Sequence, residues 1–321
     1  MKAPRFWQED NFTARLLAPI AAQYEKIVQQ RLARPPEYVS KLPVICVGNV
    51  TLGGSGKTPV VDALAQLLQE RGAKPAILLR GYGGKEKGPF WVKEDTAFKR
   101  CGDEALLHAR VAPTLVSADR VAGAREIEGN GEITHILMDD GLQNPALKKT
   151  CSVLVVDGQN PGGNGRLFPA GPLRETLENA LRRVQALVIL GPDKSDLATR
   201  YGFLLSVFKA RLAPVNGDEF SGKKLLAFAG IGNPDKFFQS LRDCGGDLRE
   251  TRAFADHHPY RPGDIRQLVA RAQKHGATPV TTRKDWVRLP KDLRARIAVL
   301  DVRLEWENET ALREFLAEKA V

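Results

Sequence analysis

The chain has 321 residues, 43% hydrophobic and 27% charged, an ordinary balance for one large or two average cores. Its net charge of +10 attracts polyanions such as nucleic acid, anionic headgroups or phosphorylated substrates. Four cysteines without C-x-x-C spacing and five histidines without metal spacing argue against a zinc site or redox pair, and no run approaches the ~18 apolar residues of a membrane span.

In chain order, residues 5–34 come first. Phe6, Trp7, Phe12, Leu16, Leu17, Ile20, Tyr24, Ile27, Val28 and Leu32 recur near helical spacing, Lys26, Arg31 and Arg34 flank them, and Pro19 predicts a kink or a split. The pattern fits a helix pair packed on the domain, or an apolar face with basic flanks lying on a membrane surface. The acidic Glu9 and Asp10 argue against a signal-peptide core there. The apolar run 43–48 reads as a buried strand, followed by a glycine-rich turn and a helix face of Val60, Ala63, Leu64, Leu67 and Leu68 ended by Gly72. Further strands are predicted over 74–79, 133–138, 152–157 and 186–190, with helical patterns between. This alternation predicts a parallel, doubly wound sheet. From about residue 204 the pattern changes to a hinge strand and then a second unit, with strands over 224–228, 278–281 and 297–303, a helix over 234–242 and a tail helix over 307–319.

The strongest motif is Thr51-Leu-Gly-Gly-Ser-Gly-Lys-Thr58, set between a predicted strand and a predicted helix. Glycines at 53, 54 and 56 let backbone N–H groups converge on phosphate oxygens, and the helix N-terminus adds its dipole. Thr51, Leu52 and Ser55 complete the loop. Lys57 is placed to reach the β- and γ-phosphates, and the Thr58 hydroxyl to bind Mg²⁺. ATP and Mg²⁺ are the expected ligands. The first position is Thr51 where a P-loop usually has glycine, and Leu52 stands where partitioning-type ATPase switches carry a lysine, which disfavours that class.

A second constellation ends an apolar run at Asp139 and Asp140. Carboxylates at the C-terminal end of a core strand sit where the crevice of such a sheet opens, and one of the two can hold Mg²⁺. Asp103 and Glu104 open a helix-like segment, either as first-turn acids or as the carboxylates a kinase needs for a hydroxyl proton and a metal. Asp256-His257-His258 lies in the second unit as a candidate for orienting or tuning a base. Arg80, Arg120, Arg166 and Arg174 sit in turns or beside an acid, as phosphate clamps do.

These residues resemble the tetraacyldisaccharide 4'-kinase family. The likeness runs through Val47-Gly-Asn-Val-Thr-Leu-Gly-Gly-Ser-Gly-Lys-Thr-Pro59, Arg80-Gly-Tyr-Gly-Gly84, Gly102-Asp-Glu104, Asp119-Arg120, Asp139-Asp-Gly-Leu-Gln143, the 165–175 segment, Phe254-Ala-Asp-His257 and Thr282-Arg-Lys-Asp285, in the family's order. The resemblance implies transfer of the ATP γ-phosphate to the 4'-hydroxyl of a tetraacylated glucosamine disaccharide 1-phosphate, giving lipid IV-A in lipopolysaccharide synthesis. It implies a P-loop α/β/α fold with a second, smaller α/β/α domain on a two-stranded hinge. The expected divisions are a membrane-contacting segment over 1–40, the kinase core over 41–208, a second domain over 209–303 and a returning helix over 304–321. The resemblance makes Asp103 the catalytic base, assisted by His257. It places Thr58, Glu104 and Asp139 at the metal with Asp140 in support, and Lys57 and Arg174 on the ATP phosphates. The partners it implies are the acylated disaccharide and the cytoplasmic face of the inner membrane, met peripherally by a monomer, with no nucleic acid. Many relatives carry histidine after the glutamine of the Asp-Asp-Gly motif; here it is Asn144. The alternative reading is a P-loop ATPase switch acting on a protein partner.

Overall fold

Val44–Gly48, Pro75–Leu79 and Ala186–Leu190 are strands in which every residue is buried, as expected for parallel strands covered on both faces. The computed structural model describes residues 4–54 and 56–319. Among these, nine strands form one sheet in the order Val302–Trp306, Ser206–Pro214, Ala186–Leu190, Cys151–Asp157, Val44–Gly48, His135–Asp139, Pro75–Leu79, Thr114–Val116, Phe90–Trp91. The outermost pair at each edge is antiparallel and the remaining pairs are parallel.

Side chains alternate across this sheet. Cys46, Met138, Leu154 and Ile189 enter one core with Ala124 and Ile127 of the helix Arg120–Glu128. Ile45, Val47, Leu137, Val155 and Val188 enter the other, beneath the helix Lys57–Glu70 and the C-terminal helix Glu309–Glu318. The Lys57–Glu70 helix buries Val60, Val61, Leu64, Ala65, Leu67 and Leu68. At about 1.5–3 kcal/mol for each large aliphatic side chain, that face holds the phosphate-loop helix on the sheet.

The chain leaves the large sheet along Ser206–Pro214 and returns antiparallel to it along Val302–Trp306, pairing Pro214 with Val302 and Ala210 with Trp306. Between them lies a four-stranded parallel sheet ordered Asp247–Ala253, Lys224–Ala229, Thr278–Thr282, Ala298–Leu300. The helix Pro262–Lys274 covers one face, where it meets Leu226 and Phe228. The helix Pro234–Asp243 covers the other, over Leu225 and Ala227.

The single strand expected over 297–303 is two strands in two sheets. Asp301 divides them: its N–H donates to Asn216 Oδ1 at 2.9 Å, its carbonyl accepts from Val215 N–H at 2.9 Å, and Arg283 Nε holds its carboxylate at 2.7 Å. The N-terminal segment is likewise split. Phe12–Leu16 is capped by Asn11, Leu17 breaks the run, and Ala18–Leu32 begins with Pro19 in its first turn, where the missing N–H costs nothing. Ala14, Ala21 and Tyr24 face the protein, with Tyr24 edge-on to Phe168 at 5.6 Å, while Phe12, Leu16, Ile20 and Ile27 are exposed. No helix among the described residues is long and apolar enough to cross a membrane.

Candidate active site

The buried strand Val44–Gly48 delivers the chain to the phosphate loop at the sheet's carboxyl end. Thr51 bridges to Leu173, and Leu52 N–H donates to Pro172 O at 2.7 Å, so the loop is tied to the 165–175 segment. Gly53 and Gly56 have φ of 115° and 79°, the left-handed region that side chains disfavour. Gly56 is the N-cap of the helix that carries Lys57 and Thr58 in its first turn. Gly54 faces the second unit, where a Cβ on Gly232 would lie 3.7 Å from the Gly54 nitrogen. Ser55 lies outside the described residues. Lys57 Nζ donates to Asn49 Oδ1 at 3.1 Å and lies 3.7 Å from Asp140 Oδ1.

Asp139 ends the neighbouring strand, paired in register with Val47. It is buried; Oδ2 lies 3.1 Å from His108 Nε2, and Oδ1 has no hydrogen-bond partner among the described residues. Asp140, at φ 53°, turns the other way and takes two bonds from Arg174 Nη1, at 2.8 and 2.9 Å. Burial alone would raise the Asp140 pKa, but Lys57, Arg174 and Arg120 hold it below its ordinary value. Gln143 donates to Asn49 O and Glu175 Oε1, both at 2.9 Å, and Arg183 pairs with Glu175. Asn144 spends its side chain on its own turn, accepting from Ala146 N–H at 3.0 Å.

The second unit meets the first at the helix Asp103–His108. Gly102 caps it at φ 87°, with no room for a Cβ against Tyr82 O. Asp103, only 3% exposed, accepts at Oδ2 from His257 Nδ1 at 2.9 Å, with Arg288 Nε 3.3 Å away. Burial pushes the Asp103 pKa up; the His257 hydrogen bond and the charges of Lys284, His257 and Arg288 overcome it and hold the group at about 2. Glu104 accepts from Lys284 Nζ at 3.1 Å. Its burial is outweighed by Lys284 and Lys57, which keep it ionised. Tyr82 lies edge-on to His257 at 5.5 Å.

Asp103 and His257, 154 residues apart, are thus joined. Arg174 is brought to Asp140, with its Nε buried and unpartnered among the described residues. Five participants carry no role in the sequence analysis: Asn49, His108, Asp62, Lys284 and Arg288. Asn49 directly follows the strand that enters the loop, and Asp62 and His108 sit on the two helices that open the site's motifs, so position alone could have flagged them.

The residues fit a Mg²⁺–nucleotide complex. Asp139 Oδ1 is a buried carboxylate oxygen with no hydrogen-bond partner among the described residues, and the Thr58 hydroxyl lies in the first turn of the phosphate-loop helix. Among the described residues no three His, Cys, Asp or Glu converge as a ready cage. Mg²⁺ commonly takes one or two carboxylates together with substrate phosphates and water.

The family model for tetraacyldisaccharide-1-P 4'-kinase matches residues 13–321. The chain is 49% identical over 318 residues to a tetraacyldisaccharide 4'-kinase of Paramagnetospirillum magneticum, covering 97% of each. It is 48% identical over 323 residues to one of Methylorubrum extorquens, covering 99% of this chain and 98% of that one. The crystal structure of LpxK from Aquifex aeolicus in complex with ATP superposes with a TM-score of 0.77 at 27% identity, over 95% of this chain and 99% of that one. None of these relatives supports the reading as an ATPase switch on a protein partner. With a phosphate loop, an unpartnered strand-end carboxylate and a carboxylate–histidine pair in place, and with the match running nearly end to end, the chain belongs to the tetraacyldisaccharide-1-P 4'-kinase family.

Proposed function

We propose that the chain transfers the γ-phosphate of ATP to the 4'-hydroxyl of a tetraacylated glucosamine disaccharide 1-phosphate, at the seam between its two units. The observation that carries this reading is the Asp103–His257 pair, 2.9 Å apart and built from both units beside the phosphate loop. Asp103 Oδ2 is taken up by His257 and Arg288, whereas among the described residues Oδ1 accepts only the N–H of Glu104 at 3.0 Å. Oδ1 is therefore the atom that takes the hydroxyl proton as the 4'-oxygen bonds to phosphorus. The bond from phosphorus to the β-phosphate oxygen breaks, and ADP leaves with that electron pair. A carboxylate of low basicity suffices, because phosphoryl transfer draws mainly on positioning and charge stabilisation. Lys57 stabilises the charge on the phosphates, and Arg174, now paired with Asp140, is the second phosphate cation. Backbone N–H groups of the 51–58 loop cradle the nucleotide. Mg²⁺, when bound, would neutralise phosphate charge. Thr58 and Asp139 would hold it, with Asp140 and Glu104 behind them.

Every group named comes from one polypeptide, so the reaction as read here needs no second copy of the chain. The chain works peripherally on the cytoplasmic face of the inner membrane. The exposed stripe Phe12, Leu16, Ile20 and Ile27, flanked by exposed Lys26, Arg31 and Arg34, supports this placement on an anionic bilayer.

The test is transfer of label from γ-labelled ATP to the acylated disaccharide 1-phosphate in detergent micelles. We expect label at the 4' position, lowered at least about 100-fold by Lys57→Ala. ATP hydrolysis without labelled lipid would contradict the reading.

A further inference from the structure

The segment from Thr282 to Arg288 meets the site from the second unit, and it carries Lys284 to Glu104 and Arg288 to Asp103. Asp285 is fully buried. Its Oδ1 accepts from Gly230 N–H at 2.8 Å, Tyr260 O–H at 2.7 Å and Arg288 Nη2 at 2.9 Å, and its Oδ2 accepts from Thr282 O–H at 2.5 Å. Arg288, 2% exposed as a whole residue, also donates to Gly230 O at 3.0 Å, Lys284 O at 3.1 Å and His258 O at 3.4 Å. A buried guanidinium needs a carboxylate and acceptors around it. Arg288 finds them all within its own unit.

Asp103 is in the opposite position. It belongs to the first unit, and both partners of its Oδ2, His257 Nδ1 and Arg288 Nε, come from the second. Arg288 also acts on His257. The Gly230 carbonyl that Arg288 holds accepts the His257 N–H at 3.0 Å, and His257 sits at φ 56°, a conformation that persists only where its surroundings impose it. One rigid planar fork therefore touches the carboxylate directly and the histidine through one carbonyl.

We propose that Arg288 is a positioning residue for phosphoryl transfer, one that fixes Asp103 and His257 relative to each other when the two units meet. This rests on the reading of Asp103 as the base. Preorganised in its own unit, Arg288 needs no rearrangement to receive Asp103. Its loss misplaces the pair without touching the phosphate loop. A displacement of about 1 Å at such a pair costs on the order of 100-fold in rate.

The experiment compares Arg288→Ala, Arg288→Lys and Asp103→Ala with wild type in the micellar transfer assay, with thermal unfolding of each. The expected result for Arg288→Ala is a kcat about 100-fold lower, a KM for ATP within about threefold of wild type, and partial restoration of kcat by millimolar methylguanidinium. Methylguanidinium is expected to leave Asp103→Ala inactive. Should Arg288→Ala fail to fold, Arg288→Lys decides. It keeps a buried cation beside Asp285 but lacks the fork, and a wild-type melting temperature with reduced kcat supports the proposal. Wild-type kcat in Arg288→Lys or Arg288→Ala, with Asp103→Ala inactive, overturns the role of Arg288 and leaves the base assignment standing. Full activity in Asp103→Ala removes the base assignment, and the proposal with it.

Discussion

Asp139 and Asp140 are adjacent and chemically identical, and their surroundings separate them. Asp140 swings out at a left-handed φ and is neutralised by Arg174 and Lys57. Asp139 stays in the strand with one oxygen unpartnered and the other against His108. His108 is fully buried between Asp139 and Asp62, whose Oδ1 lies 2.5 Å from its Nδ1. Burial favours the neutral ring, but the two carboxylates outweigh it and raise the His108 pKa from 6.5 to about 10. A folded-state pKa above the unfolded value gives stability that is complete below about pH 6.5 and is lost as pH rises through about 10. In protein kept in EDTA, the melting temperature should therefore fall over that window, and the fall should flatten in His108→Gln. Parallel profiles for the two proteins would contradict a protonated His108.

At the scale of elements, the buried parallel strands were legible because continuous apolar runs bounded by turns have few other readings. The phosphate loop was legible because its chemistry is written in eight consecutive residues. Strand Asp247–Ala253 was missed: it is an edge strand, largely exposed and polar, without an apolar run to mark it. Thr114–Val116 and Phe90–Trp91 are too short to carry a period. The division at Asp301 depends on Asn216, 85 residues earlier, and leaves no local trace. The site divides in the same way. The carboxylates at 103, 104, 139 and 140 could be proposed from local context. The Arg174–Asp140 pair spans 34 residues, and Lys284–Glu104 spans 180. The role of Asp103 with His257 came only through family resemblance, because no spacing links them. Lys284 shows what that omits. Burial opposes its charge, yet Glu104, Asp103 and Asp256 raise its pKa, so it is a fixed cation at the site.

The whole molecule presents two features to an acylated anionic substrate: a net charge of +10 and an apolar stripe at its N-terminal end. The stripe's four side chains are exposed, whereas Ala14 and Ala21 are the buried residues of these helices, so polar replacements should leave the core intact. Replacing Phe12, Leu16, Ile20 and Ile27 together by serine should weaken binding to phosphatidylglycerol-containing vesicles at least tenfold, about 1.4 kcal/mol. Turnover in detergent micelles should stay near wild type. Sedimentation with vesicles checks this, and unchanged binding would place the membrane contact elsewhere.

The two units also meet through Lys236 with Asp157 at 2.8 Å and through Lys291 with Asp95 O at 3.1 Å, polar contacts suited to parting and closing. The central claim is that this seam assembles one proton acceptor from two units. Its most direct test is a double-mutant cycle on kcat with Asp103→Ala, His257→Ala and the pair. We predict that Asp103→Ala lowers kcat by about 10³-fold and that adding His257→Ala costs less than about threefold more, because the histidine acts through the carboxylate. Independent, multiplying losses, or an active Asp103→Ala enzyme, would contradict it.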